Sequence, residues 1–196
     1  MFRNESEGMM MACRALFAAV ALLATSAPVT AQTHGLSLEQ RVQRIEDEAA
    51  IRALIQRYAD LLTARDFEGY VQLFTPDGVW QNGPIVHRGR ADIKDMLVKM
   101  FPDTPADFVN TNSYMLVSNV SVDLDPDGRH AHARARQLSI MRAGSGTPTP
   151  VLAGMYEDDL VKVDGEWKFS RRNDITLMPT MEQWQKKMAE GIFSPE

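Results

Sequence analysis

A chain of 196 residues with a formal net charge of −5 has room for one ordinary domain and an N-terminal extra. The acidic balance excludes the electrostatic footprint of a nucleic-acid binder or of a protein drawn to an anionic membrane. A hydrophobic content of 44% with a single cysteine describes a globular chain that forms no internal disulfide.

Residues 1–31 read as a secretory signal peptide: Arg14, an apolar run from Ala15 to Leu23, then Val29-Thr30-Ala31 with small residues at −3 and −1 of a cleavage site. The run is too short to span a bilayer. The expectation is therefore a periplasmic or secreted protein, free of the membrane once cut after Ala31, with an uncleaved anchor as the alternative. Met9, Met10 and Met11 offer a later start. Cys13 precedes the apolar run, so it is not placed as a lipoprotein cysteine, and it leaves with the signal. The mature chain then has no thiol nucleophile and no thiolate metal site.

Residues 32–39 are a linker, in which Ser37 with Gln40 three residues on makes a helix-capping signature. Val42, Ile45, Ala49, Ile51, Leu54, Ile55, Tyr58, Leu61 and Leu62 recur at three- and four-residue steps. The spacing predicts a long helix to about Thr63 with these residues on its buried stripe. Arg44, Arg52, Gln56, Arg57 and Asp60 face water. Asp66 caps a short second helix over Phe67–Phe74. Pro76-Asp77-Gly78 reads as a turn, Val79–Gln81 as a strand ended by Asn82-Gly83-Pro84, and Ile85–His87 as its partner. Ala91–Met100 predicts a third helix, with Ile93, Met96, Leu97 and Met100 on one face.

Strands follow. Val109–Asp125 is long, extended and bulged, and Asp125-Pro126-Asp127-Gly128 is a hairpin turn. His130–Met141 alternates: Ala131, Ala133 and Ala135 on one face, His130, His132, Arg134, Arg136, Leu138 and Ile140 on the other. The alanines suit close packing on the helix, so the His/Arg face is read as outward. Ala143–Pro150 is a loop, Val151–Val163 and Glu166–Arg172 are strands joined at Asp164-Gly165, and Thr180–Glu190 is a closing helix. Helices followed by an antiparallel meander predict an α+β domain over residues 40–178, a curved sheet wrapped on the long helix, with a C-terminal helix and tail over 179–196.

Ala49-Ala50-Ile51 with Leu54, Tyr58 and Asp66, the run Leu73–Trp80, Gly89-Arg90 with Ile93, Val117-Ser118-Asn119-Val120, Gly154–Asp158 and Gly165–Phe169 together resemble the nuclear-transport-factor-2-like superfamily in its SnoaL-like branch. The resemblance covers residues 40–175. It implies a cone-shaped curved antiparallel sheet around a long N-terminal helix, with a deep, mostly apolar pocket between them. Members include cofactor-free dehydratases, dehydrochlorinases, ketosteroid isomerases, polyketide cyclases and formaldehyde-releasing lyases, and others without catalysis, so the fold alone does not settle function.

The dehydratase and dehydrochlorinase relatives use an Asp–His pair, and the matching positions here hold Thr63 and Met115, neither of which is a general base. Tyr58 matches a tyrosine of some dehydratase relatives, a hydrogen-bond donor to an oxyanion or a general acid. Arg172 matches an arginine that helps stabilise a departing anion in the dehydrochlorinase relatives, and strand alternation turns Arg171 the other way. His87, beside Arg88, and Tyr114 are the remaining proton acceptors. Trp80, Asn112, Met115, Arg136, Tyr156 and Thr63 complete the expected substrate-binding wall, Arg136 only if its face turns inward. Each has a structural alternative: Tyr58 as a core tyrosine, Arg172 as a surface strand arginine, His87 as an exposed loop histidine. Asp123, Asp125 and Asp127 copy half of a calcium loop, but Arg134 stands where its bidentate glutamate belongs. His130 and His132 lack a third zinc ligand. No metal and no cofactor are expected. The reading is a cofactor-independent lyase or isomerase (dehydration, elimination or formaldehyde-releasing C–C cleavage) on a small hydrophobic, aromatic or lignin-derived substrate, assembled as a homodimer. The alternative is a secreted small-molecule-binding protein of the same fold without turnover.

Overall fold

A computed structural model describes residues 35–189 except 103 and 145. The signal-peptide reading lies outside the described residues. Helix α1 spans Leu38–Ala64, and its start is the predicted capping box: Ser37 Oγ accepts from the Gln40 N–H at 3.2 Å, and Gln40 Oε1 accepts from the Ser37 N–H at 2.8 Å. The inward stripe differs from expectation in its first half. Val42 and Ile45 are 45% and 69% exposed, and the buried positions begin at Asp47 and continue through Ile51, Ile55, Tyr58 and Ala59. An acid occupies that inward place because the last hairpin brings partners to it. Asp47 accepts from Trp167 Nε1 at 2.9 Å and pairs with Lys162 at 2.5 Å.

Short α2 (Phe67–Val71) is capped by Asp66, whose carboxylate accepts from the Gly69 N–H at 2.8 Å. β1 (Phe74–Asn82) pairs with β2 (Ile85–Arg88), and α3 follows over Gly89–Met100. Pro76-Asp77-Gly78, expected to be a turn, lies inside β1 as an irregularity between Phe74 and Val79. Such an insertion bends a strand without ending it. β3 (Ser113–Leu124), β4 (His130–Arg142), β5 (Pro148–Val163) and β6 (Glu166–Met178) form the meander, and α4 spans Met181–Ala189. β3 carries the expected bulge, between Ser118 and Ser121, with Asn119 at a φ of 51°.

The six strands form one curved sheet in the order β2-β1-β6-β5-β4-β3. The sheet is mixed, not wholly antiparallel: β1 and β6 run parallel. Two further boundaries move: β5 begins at Pro148, and β6 continues past Arg172 to Met178. On β4 the alternation holds as predicted. Ala131, Ala133 and Ala135 are buried, whereas His130, His132, Arg134 and Arg136 are exposed. The small alanines leave room on the concave face for the large side chains of α1, β5 and β6, which pack as one core of Ile51, Ile55, Tyr58, Tyr156, Leu160 and Phe169.

Candidate functional site

Strand parity aims alternate residues of β4, β5 and β6 at the same concave face. Asp158 faces Arg172 across β5 and β6, and one rung further Tyr156 faces Asp174. On the other side of β5, Ala135 faces Tyr156 and Gln137 faces Gly154. Two carboxyl groups therefore stand on neighbouring rungs, with very different surroundings.

The first rung is closed. Arg172 is fully buried and grips Asp158 with two hydrogen bonds, Nε to Oδ1 at 2.7 Å and Nη2 to Oδ2 at 2.6 Å. Its guanidinium carbon lies 3.9, 4.1 and 4.1 Å from the ring centres of Tyr58, Tyr156 and Phe169. Burial alone would loosen the guanidinium proton, but the Asp158 charge and its hydrogen bonds overcome that and hold it more tightly than usual.

The second rung opens into a cavity of about 130 Å³. Its walls are mostly apolar: Met96, Leu97, Met100 and Phe101 from α3 and its end, Leu62 from α1, Leu152 from β5, and Trp184 from α4. The polar groups are few. Asp174 is half-buried, and its only hydrogen bond among the described residues is from Gln137 Nε2, at 2.6 Å. Burial pushes its carboxyl up to about 7, against partial relief from the Arg172 charge. The Gln137 amide is oriented from behind: Tyr156 Oη donates to Gln137 Oε1 at 2.5 Å. Gly154 makes space for this chain, since a Cβ there would lie 2.5 Å from the Ile175 carbonyl and 2.9 Å from Gln137 Nε2.

Tyr58 and Asn82 share the same cavity. Tyr58 Oη accepts from Trp80 Nε1 at 3.2 Å, and Tyr70 also hydrogen-bonds to it. Burial raises its proton affinity, while the Arg172 charge under the ring pulls the other way. Asn82 gives an N–H to Thr176 Oγ1 at 3.1 Å, and its buried Oδ1 has no hydrogen-bond partner among the described residues.

Of the residues singled out in the sequence, Tyr58, Thr63, Trp80, Tyr114 and Met115 meet at this cavity. The others lie elsewhere. Arg172 was expected at the pocket mouth, but it is sealed beneath the aromatic floor because Asp158 claims it. Tyr156 is wholly buried behind the wall, held by Gln137. His87 turns to Asp92, with Nδ1 3.0 Å from its carboxylate, away from the lining. Arg136 stands exposed on the convex face, 3.8 Å from Met155 Sδ. Asn112 borders a shallow surface groove beside the loop after β4. On the β3–β4 hairpin, Asp127 accepts from the N–H groups of Arg129 and His130 at 2.8 and 3.1 Å, which fixes the turn. Asp174, Gln137 and Asn82 escaped the sequence reading. The signal for the first two was their inward parity, a polar side chain continuing the rows that contain Arg172 and Ala135.

A long helix laid across a curved mixed sheet, with an apolar cavity between them carrying the Asp174 carboxyl and the phenols of Tyr58, Tyr70 and Tyr114, defines a class: the α+β cone with an internal pocket. The chain belongs to the SnoaL-like domain family, whose model matches residues 43–173, within the nuclear-transport-factor-2-like superfamily. Among solved structures it is similar to one from Novosphingobium aromaticivorans named as a candidate scytalone dehydratase, at 27% identity over 70% of this chain and 89% of that one, with a TM-score of 0.59. An NTF2-like protein with a cystatin-like fold from the same organism aligns at 22% identity over 76% and 93% of the two chains, TM-score 0.62. A Catenulispora acidiphila protein solved in complex with S-DNPA aligns at 22% over 67% and 94%, TM-score 0.57. The last two share the fold. No match to the chain was found among curated proteins.

Proposed function

We propose that this protein is a cofactor-independent acid–base enzyme of the lyase or isomerase type, acting on a small hydrophobic, aromatic molecule in the cone cavity. The observation that carries the reading is one cavity wall holding both a carboxyl with no ion-pair partner among the described residues and the phenol of Tyr58. A carboxyl pushed up to about 7 takes and returns protons near neutral pH. In a dehydration, elimination or formaldehyde-releasing C–C cleavage, Asp174 would remove the substrate proton. The electron pair would move onto an oxygen that accepts a hydrogen bond from Tyr58. In a dehydration it would then return to break the C–O bond, the hydroxyl leaving as water with the proton handed back by Asp174. In a formaldehyde release the C–C bond would break and the same proton would go to the carbon left behind. The unpartnered Asn82 Oδ1 would accept from a substrate hydroxyl. A water-poor cavity strengthens each of these contacts. Arg172 would act through the ring of Tyr58, stabilising negative charge on the phenol without touching substrate.

Likeness to a candidate scytalone dehydratase supports the reaction class, and the apolar, methionine-rich wall supports an aromatic substrate. The signal-peptide pattern over residues 1–31 supports export to the periplasm. The convex sheet face, with Arg134–Glu157 and Arg171–Asp159 pairs, is the surface we assign to a homodimer, and sedimentation tests that assignment. Thr63 and Met115 at the family's Asp–His positions favour the second reading, a binder without turnover.

The test is to incubate the purified protein with phenolic and steroid-like panels and follow new ultraviolet absorption. Asp174→Asn is expected to lower kcat by about 10²–10⁴-fold and Tyr58→Phe by about 10²-fold. Turnover unchanged in both variants rejects the site. Binding without turnover in the unaltered protein selects the second reading.

A further inference from the structure

The mechanism leaves one cavity-lining cation unused. Arg65 ends α1 in a left-handed conformation, φ 60° and ψ 24°. Glycine or asparagine takes that geometry with little strain and arginine does not, so backbone preference does not explain the residue. Its guanidinium carbon lies 3.2 Å from the ring centre of Phe101 and 5.4 Å from that of Phe108, which holds the side chain in place. Nη1 is buried and has no hydrogen-bond partner, and no carboxylate lies within ion-pair distance among the described residues. The neighbouring acid, Asp66, is committed to capping α2. Burial with nothing to offset it draws the Arg65 pKa down to about 10. A half-buried cation without a counter-charge is costly to the empty protein, and a bound anion supplies the missing partner.

We propose that Arg65 is the anion anchor of this cavity and that its ligand is a planar hydrophobic carboxylate, held by its carboxylate at Arg65 with its apolar body along the cavity toward Tyr58 and Asp174. The inference rests on the reading of the cavity as a small-molecule site, and it narrows the substrate class. Arg65 enters from the helical side and Asp174 from the sheet. The ligand's charged end therefore meets the cation and its other end meets the acid. A guanidinium matches a carboxylate in charge and in planar geometry. Met96, Met100, Met115 and Met141 supply polarisable contacts to a ring between the two ends.

The experiment compares cinnamate with cinnamyl alcohol, which share ring and chain and differ in charge, by calorimetric titration of the full purified protein at pH 6.5. Cinnamate should bind at least roughly tenfold more tightly than the alcohol. Arg65→Met should abolish that preference, lowering the affinity for cinnamate at least roughly tenfold more than that for the alcohol. Arg65→Gly, which suits the left-handed backbone, should do the same, and so guards against misfolding of the first variant. Equal binding of both compounds, or a cinnamate preference that survives in a folded variant, overturns the anchor. Binding of the alcohol alone overturns the anchor and leaves the cavity reading standing. Binding of neither overturns both.

Discussion

Asp158 and Asp174 are the same residue type, on adjoining strands, aimed at the same concave face, yet they differ in what they can do. Asp158 meets a guanidinium head-on, with both carboxylate oxygens engaged, and is spent on holding the floor together. Asp174, one rung away, receives an amide N–H and stands at a cavity. The two arginines differ in the same way: each has a buried Nη1 without a hydrogen-bond partner, but Arg172 is paired with a buried acid, whereas Arg65 has no carboxylate within ion-pair distance among the described residues. The contrast teaches that burial of a charge does not mark function here. Burial with the counter-charge withheld does, because only that group has unused interaction energy to give to a ligand.

The comparison is broken most violently at the closed rung. Arg172→Met leaves the Asp158 carboxylate buried without its cation and should cost about 3–5 kcal/mol in urea unfolding. Pairing it with Asp158→Leu should recover much of that loss, which separates the penalty of an orphaned charge from the worth of the pair.

At the open rung the expected effect is a pH dependence. Asp174 has a folded pKa raised from 3.8 to about 7, so the native state binds the extra proton between those values. Its contribution to stability is full below about pH 4 and is lost as pH rises through about 7, at about 1.4 kcal/mol per pH unit. Denaturant unfolding across pH 4–8 should show this decline relative to Asp174→Asn, in which the carboxyl is gone. Coincident pH profiles for the two proteins would mean that Asp174 is as solvated as a surface acid.

The smallest intervention sharpens the contrast from behind. Gly154→Ala puts a methyl group against the Ile175 carbonyl and the Gln137 amide and should cost about 1–3 kcal/mol as the strands and Gln137 shift. Because Gln137 is what Asp174 leans on, the same variant should also move the midpoint of any activity profile that reports Asp174. A stability loss with an unmoved midpoint would show that Gln137 only fills space.

Much of this architecture can be read from local pattern. The Ser37–Gln40 cap, the hairpin turn before His130 and the β4 alternation each rest on neighbours within a few residues, and each stands as expected. Longer-range features were misjudged for identifiable reasons. β6, expected to end at Arg172, runs on to Met178 because pairing with β5 carries it, and that extension places the Asp174 carboxyl on the cavity wall. Pro76-Asp77-Gly78 resembles a turn, but pairing of β1 with β6 carries the strand through it. Tyr58 was legible because helical spacing fixes which way it points. Parity shows that only one of Arg171 and Arg172 faces inward and the family resemblance points to Arg172, but neither tells that it is sealed.

By itself the sequence determined the elements, their caps, which face of each strand is apolar and the family to which they add up, since these follow from propensity and periodicity acting over a few residues. Tertiary structure alone decided which aspartate is neutralised, which arginine is left open and where the hollow lies. Those outcomes depend on partners distant along the chain, such as Asp158 with Arg172, Gln137 with Asp174, and Arg65 with Phe101. The energy of a buried charge is set by the group that folding brings within about 3 Å of it, and no local pattern encodes that neighbour.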